Sequence, residues 1–272
     1  MDQAAHTSAA ELRFSDARSA RKWADMYDSD TDSLQEASFR ARCDAAVQYV
    51  LRVLPAGGRV LDLGCGSAPV LSRLRQHGAS CTGLEYSEDM LRHAKARLQS
   101  MQLDVGDLHR GDCRETPFAA ASFDVVVCLG VISYVEDYAV VLSEIKRILK
   151  PGGYALVSFR NRFNPILWDP AVGLKTLARA ATGRLPPEPY KIGRFMDFRE
   201  FRQKMDEAGF EYRDFIGIGL GPVKFNRHAL LAERASIKLS DFLTTVLRGL
   251  GWRAPMRWLA DVSLWVYGKP AA

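Results

Sequence analysis

Residues 60–69 read Val60-Leu61-Asp62-Leu63-Gly64-Cys65-Gly66-Ser67-Ala68-Pro69, an apolar run that ends in a glycine-rich turn. A strand entering Gly-x-Gly at the start of a helix is how doubly wound α/β folds bring backbone close to a nucleotide-like ligand. Gly64 and Gly66 have no Cβ, so a ligand can approach the turn and unusual dihedrals cost little there. Ser67 is expected to cap the next helix, and Pro69 suits its first turn, where a missing N–H matters least. The dinucleotide fingerprint fails, because G-x-G-x-x-G needs glycine or alanine at position 69. Asp62 would also set its charge against a pyrophosphate. A ligand with an ammonium or another positive centre suits that carboxylate better.

Outward from this turn, strand and helix signals alternate. Before it, residues 38–54 space Ala46, Val47, Val50, Leu51 and Leu54 along one helical face. After it come a helix at 70–77, a strand at 80–84 and a helix at 87–101, which Ser87 caps and Met90, Leu91, Ala94 and Leu98 stripe. The run Phe123-Asp124-Val125-Val126-Val127-Cys128-Leu129 reads as a strand covered on both faces, with a helix at 138–149 and a strand at 154–159 behind it. This rhythm predicts a doubly wound, mainly parallel sheet. Further on, a helix is expected at 198–208 and strands at 210–218 and 262–267.

Two insertions break the rhythm. Residues 160–196 hold five prolines and several aromatics, including Phe163, Trp168 and Tyr190 beside Arg160, Asn161, Arg162, Lys191 and Arg194. Such a segment reads either as a functional lid with cationic corners or as a solvated crossover anchored by aromatics. Residues 222–257 hold a helix whose apolar stripe runs Leu231, Ala235, Leu239, Phe242, Leu243, Val246, Leu247 and Leu250, expected to face the core or a second copy in a homodimer. The expected organisation is a helical cap over 1–58, a ligand-binding core over 59–160, a lid over 161–196, and a final segment over 197–272.

Two further acids end strands. Glu85 closes the second strand, where a carboxylate can accept both hydroxyls of a ribose. Asp112, in Gly111-Asp112-Cys113, can accept from an adenine amino group. Each alone could be a surface acid or a cap; three at neighbouring strand ends point to one ligand.

Together Asp62-Leu63-Gly64-Cys65-Gly66, Glu85, Gly111-Asp112, the 123–127 strand and Leu149-Lys150-Pro151-Gly152-Gly153 resemble the class I S-adenosylmethionine-dependent methyltransferases, in the small-molecule branch that includes quinone-biosynthesis enzymes. The resemblance spans about 59–160. It implies a Rossmann-like seven-stranded sheet of order 3-2-1-4-5-7-6 with strand seven antiparallel, and S-adenosylmethionine as cofactor. It also implies that Gly64, Cys65 and Gly66 shape the loop at the methionine end, with Asp62 near the amino group. Glu85 would hold the ribose, Tyr86 pack on the adenine, Asp112 and Cys113 meet the adenine edge, and Leu129 lie over the cofactor. Enzymes of this branch often carry an aromatic and an arginine before the first motif; Tyr27 and Arg40 are the candidates, Arg40 for the cofactor carboxylate. Ala68 stands where many members have a third glycine.

The implied reaction is in-line displacement of a methyl group onto a small acceptor, at oxygen foremost, with carbon, nitrogen or a catalytically silent binding protein as alternatives. Alignment supplies most of such a rate, and a base is needed only for a protonated nucleophile. Tyr134, after the 123–129 strand, could orient a hydroxyl, although a phenol with pKa about 10 is a poor base at neutral pH; packing at a helix start is the competing role. His77, His93 and His109 suit surface or loop positions, and His228 lies in the second insertion on the expected substrate side.

Composition narrows the classes. The chain has 272 residues, of which 47% are hydrophobic and 25% charged, so wholesale disorder is excluded. Five cysteines without a C-x-x-C argue against a disulfide framework or a zinc site, and no metal is expected. No basic leader or long apolar span is visible, which leads to a cytoplasmic expectation. Residues 1–158 carry 18 basic and 21 acidic residues, and 159–272 carry 19 and 11, so the net charge of +5 arises entirely in the second half. That asymmetry favours an acceptor or partner carrying negative charge, with a solvated basic face as the competing reading; with the aromatic lid, the expected acceptor is a small molecule, anionic and aromatic or hydrophobic, and nucleic acid is not expected.

Overall fold

The computed structural model describes residues 17–27, 33–164, 169–171, 173–175, 195–221, 224–225 and 228–271. Helices α1 (Ala17–Asp25) and α2 (Leu34–Val53) precede β1 (Arg59–Leu63), α3 (Pro69–Gln76), β2 (Ser80–Glu85), α4 (Glu88–Ser100), β3 (Leu108–Arg110) and β4 (Phe123–Leu129). A single 3₁₀ turn (Ile132–Tyr134) leads to α5 (Tyr138–Ile148) and β5 (Leu149–Arg160). Then follow α6 (Phe198–Glu207), β6 (Glu211–Ile218), a short hairpin β7 (Lys224–Phe225) and β8 (His228–Ala229), α7 (Glu233–Gly249), α8 (Arg253–Leu259) and β9 (Val262–Gly268).

The large sheet has seven strands in the order β3-β2-β1-β4-β5-β9-β6. Counted within that sheet β9 is the seventh strand, and it runs antiparallel to both β5 and β6 while the remaining pairs are parallel. The fold is therefore the Rossmann-like arrangement that the motifs imply. Because β6 and β5 both oppose β9, the carboxyl ends of all six parallel strands share one edge.

Alternation along the strands divides the core. Leu61, Leu63, Val126 and Cys128 pack on one face with Val141 and Ile145 of α5 and Phe201 of α6. Val60, Val125 and Val127 pack on the other with Ala46 and Val50 of α2, Leu71 and Leu74 of α3, and Leu98 of α4. Successive side chains of a strand point to opposite faces, so an all-apolar strand requires helices on both. Trp265 of β9 is wholly buried and meets Phe159, Phe198, Phe201 and Phe215 at ring-centroid distances of 4.6–6.4 Å.

Several expectations are corrected. Leu51 is exposed, and α2 buries Ser38, Phe39, Arg42 and Cys43 ahead of Ala46. Ser67 does not cap α3: Ala68 is the N-cap, in the left-handed conformation at φ 60, and Ser67 Oγ is buried without a partner. Ser87 does cap α4, accepting from Met90 N at 3.3 Å.

The largest reversal concerns α7. Its Leu239, Phe242 and Val246 are exposed, Phe242 at 64%, as is Leu250 just beyond it, while Ser236, Ser240 and Thr244 are buried. Hydroxyls at i, i+4 and i+8 lie on one helical face, and that face, flanked by half-buried Leu243 and Leu247, turns inward.

The first insertion is described only in part, and Trp168, Tyr190, Lys191 and Arg194 lie outside the described residues. At its start, buried Asn161 donates to the carbonyls of Arg257, Trp258 and Ala260, tying α8 to the end of β5. Phe163 packs on Phe198 and Trp258, and Arg160 pairs with Asp261 at 3.1 Å. These three side chains brace the insertion.

Candidate cofactor and acceptor site

Six loops leave the common edge of the sheet, and the first-motif turn sits at their centre. Gly64 has φ +74, and a Cβ there would lie 2.3 Å from Val131 Cγ2 in the loop after β4, so only glycine fits. The N–H groups of Gly64 and Cys65 both donate to the Leu84 carbonyl, fixing the turn against β2. Arg97 of α4 donates to the carbonyl of Ser67 at 2.8 Å and to that of Ala24 at 3.5 Å, joining the turn to α1.

Asp62 is 3% exposed at the end of β1. Burial, reinforced by nearby Glu85, raises its carboxyl to about 7, against the pull of a Leu71 N–H and of Arg42. Its Oδ2 has no hydrogen-bond partner. An orphaned carboxylate oxygen costs free energy unless a donor, and best a cation, meets it.

The complementary charge comes from α2. Arg42 is 5% exposed, and its Nη2 donates to Tyr27 Oη at 2.9 Å. Its guanidinium carbon stands 4.7 Å from the centre of the Phe39 ring, and a Cβ on Gly130 would lie 2.8 Å from Nη1. Tyr134 and Asp62 are within its electrostatic reach. Arg42 Nε has no partner either. Burial pushes the Tyr27 phenol to about 12, with Arg42 partly opposing. Trp23 of α1 stacks on Phe39 of α2 at 5.9 Å, packing the two helices together.

Arg40, two residues earlier, is half-exposed on a different side of α2, and the structure brings Arg42 rather than Arg40 beside Tyr27 and Asp62. The sequence held a signal for this: Arg42 precedes Ala46 and Val50 by one and two turns and so extends the buried face.

Glu85 accepts from Gly66 N and Ser87 N, each at 2.9 Å. Burial raises its carboxyl, and these backbone N–H bonds oppose the rise. Each oxygen keeps a lone pair for a further donor. Tyr86 beside it is 46% exposed, a ring open to stacking. Asp112 differs from expectation in being engaged: burial would raise its carboxyl, but Arg114 bonds both oxygens and holds it below the usual range. Cys113 and Leu129 are half-buried on the same edge, and Cys65 is buried behind the turn. Burial, with Asp112 beside it, pushes the Cys113 thiol to about 12, so it stays protonated.

Tyr134 ends the turn after β4 and is half-buried. His228 lies in the β7–β8 hairpin, away in sequence from every motif loop. His109 is exposed and packs edge-on against Phe118.

The residues fit S-adenosylmethionine. Asp62 Oδ2 suits an ammonium and Arg42 a carboxylate, and these are the two charges of a methionine end; both atoms are buried and lack partners. No group of three or more metal-ligating side chains occurs among the described residues, and none of their helices is long and apolar enough to cross a membrane.

Comparison with known proteins agrees. Residues 61–157 match the methyltransferase domain family. The ubiquinone biosynthesis O-methyltransferase of Pseudomonas aeruginosa is 31% identical over 184 residues, 67% of this chain and 76% of its own. That of Marinobacter nauticus is 31% identical over 174 residues, 63% of this chain and 71% of its own. Among solved structures, the geranyl diphosphate C-methyltransferase of Streptomyces coelicolor shares the fold at TM-score 0.53 and 15% identity, covering 83% of this chain and 76% of that one. The chain belongs to the class I S-adenosylmethionine-dependent methyltransferases and transfers a methyl group to a small molecule.

Proposed function

We propose that this enzyme methylates a hydroxyl oxygen of a small, ring-bearing or apolar acceptor. The observation that supports methyl transfer from S-adenosylmethionine is the pair of buried, partnerless charged atoms, Asp62 Oδ2 and Arg42 Nε, with Tyr134 within electrostatic reach of Arg42. The name of the Pseudomonas aeruginosa and Marinobacter nauticus relatives, O-methyltransferase, favours oxygen over carbon or nitrogen.

When bound, S-adenosylmethionine supplies an activated methyl group. In this reading Asp62 holds the cofactor's ammonium and Arg42 its carboxylate, and Glu85 accepts from the ribose hydroxyls through its free lone pairs. Tyr86 stacks on the adenine, while Asp112 and Cys113 line its edge and Leu129 covers it. The Tyr134 hydroxyl hydrogen-bonds the acceptor oxygen and fixes its approach. Alignment of this kind, with reacting atoms about 3–3.5 Å apart, supplies most of the acceleration. Helices α1 and α2 close the methionine end through Tyr27 and Arg42, and the second insertion forms the acceptor side.

The test is a panel of phenols, catechols, amines and β-dicarbonyl compounds incubated with methyl-deuterated S-adenosylmethionine. A labelled methyl ether, identified by mass and carbon chemical shift, is the expected product. Label on carbon or nitrogen alone would refute the oxygen assignment.

A further inference from the structure

Four partnerless donors gather around one ring, on the rim of the sheet away from the cofactor loops. Tyr212 lies at the start of β6, and its cross-strand partner is Tyr267 near the end of β9. Ile218, at the carboxyl end of β6, is about 20 Å away at roughly 3.3 Å per residue. The Tyr212 ring is partly exposed and meets the rings of Trp265 at 6.3 Å and Tyr267 at 5.8 Å. The guanidinium carbons of Arg202, from α6, and Arg257, from α8, stand 5.8 and 5.4 Å from its centre. Arg202 Nε, Arg257 Nε, Trp265 Nε1 and the Tyr267 hydroxyl are all buried without a hydrogen-bond partner. Arg257 Nη2 donates to Tyr212 Oη at 3.1 Å, which leaves the hydroxyl's own proton to donate elsewhere. Every one of these groups has a proton to give.

Neighbouring arginines are neutralised. Arg199 pairs with Asp197 at 2.6 Å and Arg213 with Glu211 at 2.5 Å, whereas Arg202 and Arg257 have no carboxylate partner among the described residues. Asp206, one turn after Arg202, is exposed and acts electrostatically on Tyr267. Arg202 and Arg257 are half-buried: their Nε atoms are covered, while both terminal nitrogens of Arg202 and Nη1 of Arg257 reach solvent.

A guanidinium lying over a ring uses its face and keeps the N–H groups of its edge for an oxyanion. Two like charges set on one ring repel unless an anion joins them. Arg257 is also held by its backbone, since its carbonyl accepts from buried Asn161 at 2.9 Å, so little ordering opposes capture of a ligand.

We infer that Arg202 and Arg257, with the Tyr212 hydroxyl, bind a phosphate group, in a second ligand site separate from the cofactor pocket. A phosphate dianion matches the two charges and has oxygens enough to accept from both guanidinium edges and from the hydroxyl. The group belongs to a soluble phosphomonoester or to a lipid headgroup, which present the same chemistry.

Phosphorus NMR and calorimetry test the site, in chloride buffer free of phosphate and sulfate. The soluble probes are inorganic phosphate, phenyl phosphate and benzoate, and vesicles containing phosphatidic acid are the lipid probe. The wild-type enzyme should bind phenyl phosphate saturably, with one site per chain, and at least fivefold more tightly than benzoate. Arg202→Gln and Arg257→Gln should each weaken that binding at least fivefold, and Arg213→Gln, at an arginine already paired, by less than twofold. Affinity for S-adenosylhomocysteine should stay within twofold in all three variants, which also shows that they fold. Sedimentation with the vesicles together with binding of phenyl phosphate names a lipid headgroup as the source; binding without sedimentation names a soluble phosphomonoester. The site is overturned by an absence of saturable binding in the wild type, by an equal loss in Arg213→Gln, or by displacement of phenyl phosphate by S-adenosylhomocysteine. Sedimentation with vesicles but no binding of either soluble phosphate overturns it too, because the bilayer's charge rather than the phosphate group would then be recognised.

Discussion

The guanidinium of Arg42 donates to the Tyr27 hydroxyl at 2.9 Å, and that bond joins the two helices that precede the first motif. Tyr27 follows α1 and Arg42 lies mid-way along α2, so the geometry of the arginine depends on how the cap seats. A hydrogen bond to a charged group contributes about 1.5–3 kcal/mol. Tyr27→Phe, which keeps the ring, should weaken S-adenosylmethionine binding about three- to tenfold by calorimetry without lowering the thermal midpoint by more than a few degrees. Affinity equal to wild type would detach Tyr27 from the site.

Asp62 gives the free enzyme a pH signature. Its folded pKa of about 7 lies above that of an unfolded aspartate, so the folded chain holds an extra proton in between. Its contribution to stability is complete below about pH 4 and is lost as pH rises through 7. A bound ammonium reverses the preference in favour of the carboxylate. Cofactor affinity should therefore increase from pH 5.5 to 7.5 with release of a proton, measurable as a dependence of binding heat on buffer ionisation enthalpy. Asp62→Asn should bind more weakly and show no such release. Glu85 and Arg42 act on the same carboxyl, so the midpoint should move in Glu85→Gln, downward because a neighbouring negative charge is gone.

How much of this was legible in the residues differs by element. The sheet was, because Val125, Val126 and Val127 are apolar on both faces and the turns at Gly64 and Gly78 carry positive φ. Asp62 and Glu85 were legible because each ends a strand beside the glycine turn. The choice between Arg40 and Arg42 needed the buried face of α2 to be extended back past Ala46 through Cys43 and Phe39, to a charged residue on that face rather than the one two positions away. The orientation of α7 was not legible at all: its leucine stripe and its hydroxyl stripe are adjacent on the helix, and only the packing of Ser240 on Leu220 N and of Leu243 on the core decides between them.

That packing is directly measurable. Phe242→Ser, on the exposed side of α7, should change unfolding free energy by no more than about 0.5 kcal/mol, as surface substitutions do. Leu243→Ala, on the inward side, should cost about 1–2 kcal/mol, less than a fully buried leucine because the side chain is half-covered. Urea unfolding of the two variants separates the orientations; the reverse ranking would mean that α7 presents its apolar stripe to the protein.

The glycine turn makes a steric prediction. Gly64→Ala adds a Cβ 2.3 Å from Val131 Cγ2 at φ +74, so both the loop after β4 and the backbone must give way. The expected result is a loss of about 2–3 kcal/mol of stability with cofactor affinity down at least tenfold. Adding Val131→Ala should recover part of the stability, since the clash is relieved, and little of the affinity, since the dihedral strain remains. Full recovery of both would assign the whole effect to the clash.

The central claim is that Arg42 meets the cofactor's carboxylate while Asp62 meets its ammonium. It is tested most directly by titrating S-adenosylmethionine and its decarboxylated analogue into wild-type enzyme, Arg42→Ala and Arg40→Ala. Wild type and Arg40→Ala should prefer S-adenosylmethionine at least tenfold, the size of a lost charge-assisted contact. Arg42→Ala should bind the two ligands equally, both near the affinity of the analogue for wild type. A preference that survives in Arg42→Ala, or disappears in Arg40→Ala, would contradict the assignment.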